Sequence, residues 1–73
     1  MTSWIISLNA HGMERAEDFR HFFIGVLDRI GARIFEESWS AVAFDCEHQD
    51  IELVRHATRE YAVVAPYEDL KRL

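Results

Sequence analysis

The chain contains one cysteine, one proline, three glycines and one lysine in 73 residues. Each scarcity excludes something. A lone thiol, Cys46, cannot form an internal disulfide, and it agrees with a cytoplasmic setting, where thiols stay reduced. Pro66 stands alone and glycine occurs only at positions 12, 25 and 31, so no linker or low-complexity tract divides the chain. Residues 1–73 therefore read as a single compact domain. No apolar run approaches the ~20 residues that span a membrane. The N-terminus has neither the basic start nor the long apolar core of a secretion signal. No glycine-rich loop is present to cradle a phosphate. Eight basic residues face thirteen acids, for a formal charge of −5. Direct binding to DNA or RNA relies on Lys and Arg displacing counterions, so nucleic acid is a poor partner for such a chain. An acidic balance serves solubility or attracts basic partners.

What the chain does have is an amphipathic stretch, Glu14 to Ile30. Phe19, Phe22, Phe23, Val26, Leu27 and Ile30 recur at steps of three and four, which sets six large side chains on one stripe of a helix. The spacing predicts a helix from about Met13 to Ile30. Glu14, Glu17 and Asp18 stand near its positive end and Arg29 in its last turn. Gly31 follows as a left-handed stop. Before the helix, Ser3 to Asn9 alternates as a strand. Asn9 to Gly12 reads as a loop in which Gly12 supplies freedom of φ. After the helix, Ala32 to Glu37 and Ala41 to Asp45 read as two strands of an antiparallel hairpin. Val42, Phe44 and Cys46 share one face, the small Ala41 and Ala43 the other. A second helix is predicted from Asp50 to about Tyr61, with Ile51, Val54, Thr58 and Tyr61 on its buried side. Residues 62–65 fit either a last strand or a continuation of that helix, and Pro66 ends both. Tyr67, Leu70 and Leu73 suggest a terminal helical turn. The order is βαββα(β) in an α+β domain. A ferredoxin-like arrangement satisfies it, with one antiparallel sheet and two helices on one face. The other face would be open, and it must be polar or covered by a second subunit or a partner.

Chemistry-bearing residues are few. Asp45, Cys46, Glu47, His48 and His56 are the nearest approach to a ligand cluster, but they lack the paired spacing of zinc sites. Cys46 continues the Val42 and Phe44 face and reads as a core thiol. No strained elbow, oxyanion loop or orienting third residue accompanies it. The expectation is a protein that is not an enzyme, with no metal and no cofactor. Charge placement is more informative. Glu36, Glu37, Asp45, Glu47, Asp50 and Glu52 fall in one stretch, and no Lys or Arg occurs between Arg33 and Arg55. The remaining residues nearly balance, with eight bases against seven acids. A one-signed patch can steer and dock a basic surface, and Trp39 at the hairpin turn could act as its aromatic anchor. These seven residues are the expected partner-binding set.

Two resemblances sharpen the expectation. Trp4 to Asn9, the long helix, Gly31 to Trp39 and Tyr61 to Val64 together resemble the SinR-like family and the related small subunit of the CRISPR adaptation complex. Those proteins have a strand ending in aspartate, a helix, a Ser-Trp hairpin, a helix and a last strand. The resemblance implies a ferredoxin-like fold and a homodimer built by sheet contacts. The family's metal-binding aspartate falls at Asn9 here, which implies weak or lost metal-dependent nuclease activity. By size and acidity alone, the chain is similar to small phage-encoded inhibitors of the anti-CRISPR type. That likeness implies docking on a basic nucleic-acid-binding protein or complex, a CRISPR effector being one form, by a monomer or homodimer.

Overall fold

A computed structural model describes residues 2–67 of the chain. Its elements are β1 (Thr2–Leu8), α1 (Ala10–Met13), α2 (Ala16–Arg29), β2 (Arg33–Glu37), β3 (Ala41–Cys46), α3 (Ile51–Thr58) and β4 (Ala62–Pro66), with a 3-10 turn at His48–Asp50 before α3. The protein is α+β, and its four strands form one antiparallel sheet in the order β2-β3-β1-β4. The connection from β1 to β2 passes through α2 and skips β3, and that from β3 to β4 passes through α3 and skips β1.

Alternation along the strands decides what is buried. Trp4 and Ile6 on β1 and Val42, Phe44 and Cys46 on β3 join Phe23 and Leu27 of α2 and Ile51 and Val54 of α3 in one core. Both long helices therefore cover the same side of the sheet. Phe23, Phe44, Ile6, Leu27, Val42 and Val54 are fully buried, and each such side chain contributes roughly 1.5–3 kcal/mol relative to exposure. Thr58 is the one buried polar residue among those described, and its hydroxyl donates to the Val54 carbonyl at 2.8 Å. Phe19 stacks on Tyr61 with ring centroids 4.5 Å apart, fastening α2 to the end of α3.

Several expectations are corrected in detail. The predicted loop at residues 9–12 is helical: Asn9 is the N-cap of α1, its Oδ1 accepting from Gly12 N at 2.8 Å. The first helix is thus broken in two near Arg15, whose φ of −138° and ψ of 58° are not helical. Gly12 has no positive φ. Its lack of a Cβ answers a crowding problem, because an added methyl would fall on the Tyr61 carbonyl oxygen. The second helix is shorter at both ends than its periodicity predicts, since a 3-10 turn precedes Ile51 and Thr58 is its last residue. Residues 62–66 are a strand, paired with β1 from Leu8↔Ala62 to Trp4↔Pro66. Gly31, with φ of +72°, ends the helix region as its position suggests. The predicted terminal turn at Leu70 and Leu73 lies outside the described residues.

The side of the sheet away from the helices is partly covered from within. Tyr67 follows β4 at one edge, yet its hydroxyl donates to Glu36 at 2.8 Å and its ring meets Phe35 edge-on at 5.2 Å. Both partners belong to β2, at the other edge. The Phe35–Tyr67 pair therefore lies over the small residues of β3, and Ala43 is buried beneath this face. Beside the pair, a concavity of about 230 Å³ remains, floored by Ile5, Ala41 and Ala43 and rimmed by Glu36 and Ser38.

Candidate protein-docking surface

The seven residues expected to bind a partner do not form one patch. The register Arg33↔Asp45 and Glu37↔Val42 puts the hairpin turn at one end of β3 and Asp45 at the other. From Ala41 to Cys46 is five strand steps, about 17 Å. Glu36, Glu37 and Trp39 gather at the turn end. Asp45, Glu47, Asp50 and Glu52 gather at the far end, where β3 leads into α3.

At the turn end the backbone explains the geometry. Ser38 closes the hairpin, its N–H donating to the Ala41 carbonyl at 2.8 Å and its hydroxyl accepting from Ala41 N at 3.2 Å. That leaves Trp39 at the tip, 64% exposed. A bulge between Ile34 and Glu36 shifts the β2 register by one, so alternation beyond it puts Glu36 on the open side with Ala43 and Glu37 on the helix side with Val42. Glu36 faces the open side and receives the Tyr67 hydroxyl. Glu37 faces the helices, 3.6 Å from the Arg20 guanidinium. Arg20 also donates to the Ser38 carbonyl at 3.3 Å. The bond to Glu36 is the main reason the Tyr67 phenol holds its proton more firmly than usual.

At the far end the four carboxylates flank the end of β3 and the start of α3, near the buried Cys46. Cys46 points into the core and is a free cysteine. Burial raises its pKa, and the charges of Asp50, Glu47 and Asp45 raise it further. Those carboxylates disfavour a thiolate, though less than burial does, and Arg33 stands across the sheet from Asp45. Asp45 accepts a hydrogen bond from the Ser3 hydroxyl. Glu47 and Glu52 are exposed, and Asp50 is half-buried at the start of α3. Glu52 meets Arg55 at 3.3 Å on the helix surface, a pairing worth about 0.3–0.5 kcal/mol at most. Arg55 also lies over the Trp4 ring, 5.3 Å from its centroid. His48 approaches the same ring with centroids 6.4 Å apart. No three His, Cys, Asp or Glu side chains among the described residues converge to hold a metal ion.

Ser3, Arg20 and Tyr67, which carry no functional signal in the sequence, hold Asp45, Glu37 and Glu36 in place. Their sequence separations from these partners are 42, 17 and 31. The β1–β3 pairing brings Ser3 to Asp45, the packing of α2 beside the hairpin brings Arg20 to Glu37, and Tyr67 reaches across from the far edge to Glu36; no local pattern signals any of these.

At the end of β1, Asn9 is fully engaged. Its Oδ1 caps α1, and its Nδ2 donates to the Glu60 carbonyl at 3.2 Å. His11 pairs with Glu14 at 3.4 Å and packs near Phe19. Compared with known protein families, curated proteins and solved structures, the chain matches none of them. No described helix is long and apolar enough to cross a membrane.

Proposed function

We propose that this protein is a non-enzymatic interaction module whose acidic pole, Asp45, Glu47, Asp50 and Glu52, docks on a basic nucleic-acid-binding site of another protein. The observation that carries the reading is placement: Asp45 lies at the end of β3, Glu47 and Asp50 lie in the turn that follows, and Glu52 stands in the first turn of α3, with Glu47 and Glu52 exposed. The backbone therefore holds them as a group. A pre-arranged set of negative charges offers a basic groove what a phosphate backbone offers it, without ordering a flexible segment. Glu36, Glu37 and the exposed Trp39 form a second contact about 17 Å away along β3, within reach of one standard-sized interface. An inhibitor of the phage anti-CRISPR type is the most specific form of this reading, supported by size and charge.

The test is capture of a partner from lysate on immobilised protein, with elution by salt and by competing duplex DNA. Held material should be a basic nucleic-acid-binding protein that DNA displaces. The triple reversal Glu47→Lys, Asp50→Lys, Glu52→Lys should abolish the capture. Retained affinity in that variant would sink the proposal.

A second reading has one specific support. The strand order β2-β3-β1-β4, with both connections crossing over through helices, supports a ferredoxin-like reading of the fold; the resemblance to SinR-like proteins would add a homodimer whose nuclease activity is weak or lost. In that reading, the double engagement of Asn9 in capping and in bonding Glu60 gives the family's metal-binding position a purely structural task. Cleavage of RNA or DNA with Mg²⁺ or Mn²⁺, lost on replacing His11, would favour it over the first.

A further inference from the structure

The side of α2 that turns toward α3 is only partly used. Phe22 belongs by spacing to the apolar stripe, but the buried face centres on Phe23 and Leu27, and Phe22 is left 59% exposed. Leu53 on α3 is 56% exposed. Between the helices runs a groove of about 480 Å³ lined by Phe22, Gly25, Val26 and Ala57, with His21 and Arg29 along its α2 side.

Gly25 is the unusual member. Glycine inside a helix costs about 0.5–1 kcal/mol relative to alanine. A Cβ there would meet no atom within 4 Å, and its φ is not positive. Neither crowding nor backbone conformation within this chain requires a glycine. Its effect is to leave bare backbone in the groove, where another helix could approach closely. One turn to either side stand His21 and Arg29, spaced as residues i−4 and i+4 on one line of the helix. Neither forms a hydrogen bond or ion pair with the described residues. No carboxylate lines the groove, although acids outnumber bases in the whole chain.

We propose that this groove seats an amphipathic helix from a protein partner, its apolar stripe lying over Gly25 and Ala57 and its carboxylates reaching His21 and Arg29. Helix-in-groove recognition uses anchors at i, i+3, i+4 and i+7. The distance from residue 21 to residue 29, about 12 Å along the axis, matches two acids eight positions apart on the incoming helix. A second copy laid symmetrically along α2 is disfavoured, because it would set His21 against Arg29 of its mate. This surface is separate from the acidic pole and selects the opposite charge.

The experiment uses the full chain and two stapled 14-residue helical peptides as probes. Both carry leucines at i, i+3, i+4 and i+7. One carries glutamates eight positions apart beside that stripe, and the other carries lysines there. The glutamate peptide should bind at least about fivefold tighter, a preference that Arg29→Glu reverses and added salt weakens. Gly25→Phe should fill the groove and abolish binding of both peptides. Gly25→Ala, which adds one methyl, should remain folded and lose affinity by a smaller factor. Equal binding of the two peptides, binding that survives Gly25→Phe in a folded variant, or self-association that Gly25→Phe disrupts would each overturn the proposal. Loss of the lysate capture with Glu47→Lys, Asp50→Lys, Glu52→Lys bears on the acidic pole alone and leaves this groove unaffected.

Discussion

The same substitution, glycine to alanine, should have opposite effects at two positions of the helical layer. At Gly12 the new Cβ would collide with the Tyr61 carbonyl oxygen and crowd Leu8. That oxygen accepts the Asn9 N–H at 2.9 Å, so it cannot retreat without breaking the bond that ties the start of α1 to the end of α3. Overpacking costs about 1–3 kcal/mol, and a lost hydrogen bond about 0.5–1.5 kcal/mol. The helix-propensity gain of alanine, about 0.5–1 kcal/mol, offsets only part of this. The net loss is about 0.5–4 kcal/mol, with a midpoint of about 2 kcal/mol. A domain of this size shifts in Tm by about 4–8 °C per kcal/mol, so at that midpoint Gly12→Ala should melt about 8–16 °C lower. At Gly25 nothing opposes the methyl, and Gly25→Ala should melt about 3–6 °C higher on the same scale. Thermal melts followed by far-UV circular dichroism read both. If Gly12→Ala melts at or above the parent, the close approach of α1 to Tyr61 is wrong. If Gly25→Ala lowers Tm, something already occupies the space above it.

Leu27→Ala removes a fully buried side chain and should cost about 2–5 kcal/mol. A core of this size supplies only roughly 3–5 kcal/mol, so the variant should be largely unfolded at 25 °C, and a cooperative melt within a few degrees of the parent would refute this. Cys46 should resist thiol reagents at neutral pH in the native state and react promptly in denaturant. Because its pKa is raised by burial and by Asp50, Glu47 and Asp45, the unfolded chain releases that proton first. The folded state is unaffected below the ordinary thiol range and loses stability as pH climbs above about 8.5. Chemical denaturation at pH 7, 9 and 10 reads the sign, and stability that rises over this interval in the parent but not in Cys46→Ala would contradict it.

The sequence by itself determined the α+β class, the order of the elements and most of the core. Periods of two and of three to four are local properties of a chain, so β1, β3 and the central turns of α2 and α3 are legible without any tertiary knowledge. The same alternation correctly sends Cys46 inward with Val42 and Phe44. The ends of elements are decided by partners distant in the chain. Residues 62–66 became a strand because β1 offers them a free edge, whereas their composition also suits a helix. Phe22 carries the spacing of a core residue, but α2 docks with Phe23 and Leu27 toward the sheet and leaves Phe22 exposed. The acidic stretch is continuous in sequence, yet a strand rises about 3.4 Å per residue, and β3 carries Asp45 away from the hairpin turn. Whether charges that are neighbours in the chain become neighbours in space depends on the element between them, and here an extended strand divides one apparent patch into two.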